Sequence, residues 1–148
     1  MAATELFFDS SALIAGVLSE EGAARVLLLL AEAGKIIPVI SMQVTVEVER
    51  ALSRKVPEAI PYYRQVLKAA NFKLVNDPTA ELVQQNLHLM DHSADVPILL
   101  AAMQSKSQYL VTLNRKHFLD GPEVAKRAGL KIGTPGDALA WVRKQFLS

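Results

Sequence analysis

At 148 residues, with 51% hydrophobic and 21% charged side chains, the chain can bury a substantial core and is neither disordered nor fibrous. Its 16 Lys and Arg stand against 15 Asp and Glu, and this net charge of +1 excludes a protein that holds nucleic acid by bulk charge alone. Cysteine is absent, which excludes a disulfide framework, a thiol nucleophile and a cysteine zinc site; no signal segment and no membrane-length apolar run is present, so a cytoplasmic protein with no membrane association is expected.

Five short apolar runs alternate with helical patterns. Residues 5–8 read as a buried strand in which Leu6-Phe7-Phe8 ends at Asp9, and Ser10-Ser11 opens a helical pattern over 11–19. In open α/β sheets ligands bind in the crevice at the carboxyl ends of the strands, so a carboxylate at a strand tip serves a site rather than the core. Ser10 and Ser11 either cap that helix or orient Asp9. A helix over 22–33 leads to a strand over 36–40. The next helix, 42–54, carries Val44, Val48, Ala51 and Leu52 as its buried stripe, with Glu47 at the stripe's edge and Glu49 pointing further outward.

A helix over 57–70, a strand over 72–75 and a helix over 79–90 follow, the last started by the capping pair Asp77-Pro78. Arg50 with Arg54 and Lys55, and Arg64 with Lys68, read as solvated helix faces. His88 and His92 have the i, i+4 spacing of a metal clip, but Ser93 and Pro97 end the helix there and no third ligand is at hand. A surface or packing role suits them better. Asp91 belongs to the same turn, within reach of the rim.

The helix over 94–106 starts at Asp95, and Ile98, Leu99, Ala102 and Met103 at +3, +4, +7 and +8 put that carboxylate in line with the sheet-facing stripe. Alone it would be a dipole-compensating acid of a first turn; paired with Asp9 it becomes a site candidate. The strand over 109–112 stops at Thr112, with Asn114 just past its tip. By itself Asn114 is a turn residue, and beside three carboxylates it is a neutral oxygen ligand or water-positioning group. Arg115, Lys116 and His117 follow at once, as a solvated turn or as phosphate contacts that position a strand without reading its sequence. A helix over 122–128, a weak strand over 131–133 and a helix over 135–146 close the chain, the last helix started by Thr134-Pro135 with Asp137 in a capping-box-like arrangement. Strands separated by helices imply parallel pairing in a three-layer α/β/α sandwich, and without a repeat or linker residues 1–148 read as a single domain.

Taken together, these segments resemble the PIN-domain nucleases, including the toxin-type, VapC-like ribonucleases. The likeness rests on Phe8-Asp9-Ser10-Ser11-Ala12-Leu13-Ile14, on Glu47 ahead of Arg50-Ala51-Leu52, and on Asp95-Val96-Pro97-Ile98-Leu99-Leu100-Ala101-Ala102. It continues through Leu110-Val111-Thr112-Leu113-Asn114-Arg115-Lys116-His117-Phe118 to Thr134-Pro135-Gly136-Asp137-Ala138-Leu139. The resemblance implies a five-stranded parallel sheet with acidic residues from distant segments converging at one edge. It implies Mg²⁺- or Mn²⁺-dependent hydrolysis of phosphodiesters, commonly in RNA, and for many prokaryotic members a partner antitoxin protein that neutralises the toxin. A homodimer is also implied.

Carried over residue by residue, Asp9, Glu47 and Asp95 match the acidic catalytic and metal-binding positions. Asn114 stands where many members place a further Asp, and the site thereby loses about one negative charge. The expectation is one cation held firmly by the protein, with a second recruited when the scissile phosphate supplies ligands. Ser10, Thr112, Arg115 and Lys116 are the substrate-positioning candidates.

Competing readings fit less of the chain. A haloacid-dehalogenase-type phosphotransferase wants a second Asp two residues after the first, where Ser11 stands. A response-regulator receiver wants an acid at the tip of the third strand, where Asp77 is committed to its capping pair. Neither a P-loop nor a dinucleotide-binding glycine signature is present. A domain that binds RNA or a partner protein without cutting stays open as the alternative to a nuclease.

Overall fold

Leu6, Phe7 and Phe8 are fully buried, the pattern of a strand covered on both faces. They belong to β1 (Thr4–Phe8), the central strand of a parallel sheet completed by β2 (Ile36–Ser41), β3 (Lys73–Val75), β4 (Tyr109–Val111) and β5 (Lys131–Gly133). The structure, a computed structural model, describes residues 4–147. The strand order is β3-β2-β1-β4-β5, with Leu6 opposite Pro38 on one side and Tyr109 on the other. Pairing of β2 with β3 begins only at Val39, so one flank of Pro38 is free of ladder bonds, the setting in which a strand tolerates proline. Residues 1–3 and 148 of the expected single domain lie outside the described residues.

Parallel strands require crossovers, and helices supply them on both sides of the sheet. They are α1 (Ser10–Leu18), α2 (Ala23–Glu32), α3 (Met42–Lys55), α4 (Ile60–Ala69), α5 (Ala80–Gln85), α6 (Val96–Gln104), α7 (Pro122–Ala128) and α8 (Pro135–Leu147). The three-layer arrangement expected from the sequence is what forms. Among the described residues no helix is long and apolar enough to cross a membrane. From β1 the chain moves outward to β2 and β3, then returns to lay β4 and β5 on the other flank. The connections after β1 and β4 therefore diverge, leaving a crevice at their carboxyl ends.

Three expected helices differ. The one expected over 57–70 opens with a 3₁₀ turn at Pro57–Ala59 before α4 begins at Ile60. The one expected over 79–90 is α5 followed by a separate 3₁₀ turn at Leu87–Leu89. Its cap is Thr79, whose hydroxyl accepts the Leu82 N–H at 3.2 Å, while Asp77 instead accepts the Gln43 N–H at 2.9 Å. The Asn86 amide donates back to the Leu82 carbonyl at 2.8 Å where α5 stops, a local bond that competes with continuing the helix. The helix expected from residue 94 begins at Val96, after a 3₁₀ turn at Ser93–Asp95. By contrast, the capping box at α8 forms reciprocally: Asp137 N–H donates to the Thr134 hydroxyl at 3.1 Å and Thr134 N–H to the Asp137 carboxylate at 3.2 Å.

Edge strand β5 packs against its neighbours too closely for any side chain at its last residue. A Cβ at Gly133 would lie 2.3 Å from the Tyr109 hydroxyl and 2.9 Å from Asp137 Cβ. Gly133→Ala is expected to destabilise the fold by about 1–3 kcal/mol, the usual cost of overpacking. Urea unfolding at constant m-value measures it, and a midpoint equal to that of the parent chain would show that the edge yields freely.

Candidate active site

Asp9 follows the last residue of β1 with extended backbone dihedrals (φ −80°, ψ 174°), and its side chain caps α1. Its Oδ1 accepts the Ala12 N–H at 3.0 Å and the Ser11 hydroxyl at 2.7 Å. The other oxygen, Oδ2, accepts the Thr112 hydroxyl, and the Asp9 N–H donates to the Val111 carbonyl at 3.1 Å. The residue is 3% exposed. Burial pushes its carboxyl above the usual carboxylate range. The bonds from Thr112, Ser11 and Ala12 counter part of that rise, and the charge of Glu47 adds to it.

This arrangement changes the parts played by the two serines. The caps expected at Ser10 or Ser11 are supplied by Asp9 itself, because an extended residue ahead of a helix turns its own carboxylate onto the first free N–H groups. Ser11 orients Asp9 and accepts the Leu113 N–H at 3.0 Å, tying the loop after β4 to the start of α1. Ser10 donates to Glu47 Oε1 at 2.9 Å. Gln43, one turn earlier on α3, donates to Glu47 Oε2 at 3.0 Å. Each oxygen of Glu47 is thereby held by a neutral donor, one of them from the residue after Asp9. Glu49 pairs instead with Arg64 at 3.5 Å, and both side chains are largely exposed. The part played by Gln43 escaped the sequence reading, although its i, i+4 spacing to Glu47 is the signal that reveals it.

From Asp9 the bonding continues along the edge. Thr112 is fully buried, and its hydroxyl accepts the Asn114 N–H at 3.0 Å. Asn114 caps a single π-helical turn at Arg115–Leu119, its carbonyl oxygen accepting the His117 N–H at 3.2 Å. Its amide nitrogen lies 3.0 Å from His117 Nδ1, and the same Nδ1 meets Asp95 Oδ2. A proton on Nδ1 suits Asp95, whereas a bare Nδ1 suits the Asn114 amide. The His117 ring is stacked on His92, with centroids 3.7 Å apart and planes inclined by 25°. His92 has therefore left any shared helix with His88 and packs against the end of the site. Arg115 and Lys116 are exposed on the same turn, and Asp91 is exposed beside them.

The donors along this edge are hard oxygens, the set that Mg²⁺ and Mn²⁺ prefer. Two features fit a cation. Asp9 is a desolvated carboxylate whose charge Glu47 further penalises. Asp95 Oδ2 is buried and, apart from its contact with His117 Nδ1, finds no aligned hydrogen-bond donor among the described residues. Among the described residues, however, no three acidic or imidazole side chains are placed so that together they could hold one metal ion. The fit is to a cation that takes one or two carboxylates and keeps several waters.

The family model for the PIN domain matches residues 5–116, a span that contains Asp9, Glu47, Asp95 and Asn114. No curated protein sequence matches the chain. Among solved structures, PAE2754 from Pyrobaculum aerophilum is 19% identical with a TM-score of 0.66, covering 95% of this chain and 90% of its own. VapBC2 from Rickettsia felis, solved bound to a DNA fragment from their promoter, is 17% identical with a TM-score of 0.62 and covers 88% and 98% respectively. At such identities the likeness is one of fold.

The burial of Asp9 has a measurable sign. A carboxyl raised above its unfolded value of about 3.9 costs the fold nothing well below that value, where both states are protonated; the cost grows as pH rises from the unfolded to the folded value and is complete above it. Metal-free Asp9→Asn protein is therefore expected to melt several degrees above the parent chain at about pH 7, with little of that advantage at about pH 3.5. Thermal melts in chelator at both pH values test this, and an equal shift at both would assign the effect to shape rather than charge.

Proposed function

The chain belongs to the PIN-domain family, whose members are generally nucleases, and from that premise we propose that it is a Mg²⁺- or Mn²⁺-dependent endoribonuclease, the toxin of a toxin–antitoxin pair. The observation that carries this reading is the line of contacts from Asp9 through Thr112 and Asn114 to the His117 backbone N–H, and from the His117 ring to Asp95, with Glu47 joined to the same crevice through Ser10. A cation bound there would offset the carboxylate charges, acidify a water to make the nucleophile and stabilise the leaving oxygen.

Asp9, Glu47, Asp95 and Asn114 would hold that cation between them, one or two of the carboxylates directly and the other groups through the waters it keeps. Thr112 and Ser11 fix the Asp9 carboxylate plane, and Ser10 with Gln43 does the same for Glu47. Arg115 and Lys116, exposed beside the carboxylates, contact phosphates and position an RNA strand without reading its bases. Binding of RNA is then local to this turn, since the whole chain carries a charge of only +1. An antitoxin acts by covering the crevice, and a second copy of the chain completes a homodimer.

One observation favours a second reading. Asp95 is engaged by His117 and the Asn114 carbonyl is occupied as a cap, an arrangement also suited to a module that binds RNA or protein without cutting. Incubation with mixed single-stranded RNA and Mn²⁺ separates the two. Cleavage is expected from the parent chain, slower by roughly 100-fold or more in Asp9→Asn and by about 10-fold in Ser10→Ala, and abolished by chelator. Equal background cleavage by the parent chain and Asp9→Asn would leave only the binding module.

A further inference from the structure

Beside the His117 end of the acidic line lies a cavity of about 470 Å³ whose walls include His92, Lys116, His117, Asp120, Glu123 and Arg127. Its volume falls within the roughly 300–1,000 Å³ typical of small-ligand sites. His117 lines this cavity and also meets Asp95, so the cavity begins where the proposed cleavage edge ends.

Three kinds of group face it. His92 and His117 are stacked face to face, with centroids 3.7 Å apart, so each keeps one outer face on which an unpaired base can continue the stack. Lys116 and Arg127 supply cations. Among the described residues the one side-chain hydrogen bond of Arg127, to the His88 carbonyl, is long at 3.4 Å, which leaves most of its guanidinium donors available. Asp91, Asp120 and Glu123, which also line it, present only acceptors; they repel a bare phosphate and suit the N–H groups on the edge of a base.

We infer that this cavity seats one nucleotide of the substrate strand, its base against the stacked imidazoles and its phosphate on Lys116 and Arg127. The inference rests on the reading of the chain as a ribonuclease, because it describes part of that enzyme's substrate site. A strand crossing the acidic edge would place the nucleotide next to the scissile phosphate in this seat.

The test uses metal-free protein in chelator with adenosine 5′-monophosphate as the probe, observed through the imidazole signals of the three histidines. The nucleotide is expected to shift the rings of His92 and His117 and leave His88 least affected. Arg127→Ala, an exposed position, should weaken binding about fivefold or more, as should His92→Ala, in line with the lower end of a base–aromatic stack. Inorganic phosphate at the same concentration should not displace the nucleotide. Absence of ring shifts at millimolar nucleotide, or displacement by phosphate alone, overturns the seat. RNA cleavage by a chain that fails to bind the nucleotide sinks the seat alone, whereas nucleotide binding by a chain that cuts no RNA supports the seat and sinks the ribonuclease.

Discussion

A carboxylate can sit at the heart of an apolar sheet only if its oxygens are met by donors, and the loops around Asp9 are built on that requirement. Its oxygens receive one backbone N–H and two hydroxyls, and those groups come from both ends of the chain. Ser11 and Ala12 belong to the helix that follows β1, whereas Thr112 belongs to the turn that follows β4. Meeting the demand of one side chain thus joins two loops that otherwise diverge. The same hydroxyls then bind onward, Ser11 to Leu113 and Thr112 to Asn114, so the order at Asp9 passes along the edge.

The remaining acids are held less tightly. Glu47 takes its orientation from Ser10 and Gln43, both neutral, and Asp95 shares His117 with Asn114. The edge therefore grades from a buried, fully bonded carboxylate to one with an oxygen short of donors. This gradient follows from position. Asp9 ends a central strand flanked on both sides, whereas Asp95 ends a 3₁₀ turn ahead of α6.

Much of this was legible in the residues. The apolar triplet before Asp9 and the alternation of strands and helices were enough to imply a parallel sheet with a carboxylate at its working edge. Helical spacing set Glu49 further outward than Glu47, and Glu49 pairs with the basic Arg64. What was hidden depended on contacts between distant segments. Nothing in the local sequence tells that Ser10 serves Glu47, that His117 meets Asp95 or that His92 stacks on His117. The serines at 10 and 11 looked like caps because serine is a good cap, and local preference gave way when the preceding aspartate took the position. The helix expected over 79–90 fails for a similar reason: Asn86 bonds to its own preceding turn, a competition that apolar spacing does not report.

The bond between Thr112 and Asp9 spans 103 residues, and every ladder of the sheet joins strands separated by a crossover. A ribosome adding roughly 5–20 residues per second makes Asp9 some 5–20 seconds before Thr112. During that interval Asp9 has neither its hydroxyl donor from Thr112 nor the flanking strand β4 that shields it, and Asp95 and His117 are themselves late arrivals. The acidic edge is consequently among the last features to form during synthesis, and the half of the chain that carries Asp9 and Glu47 waits for the half that completes it.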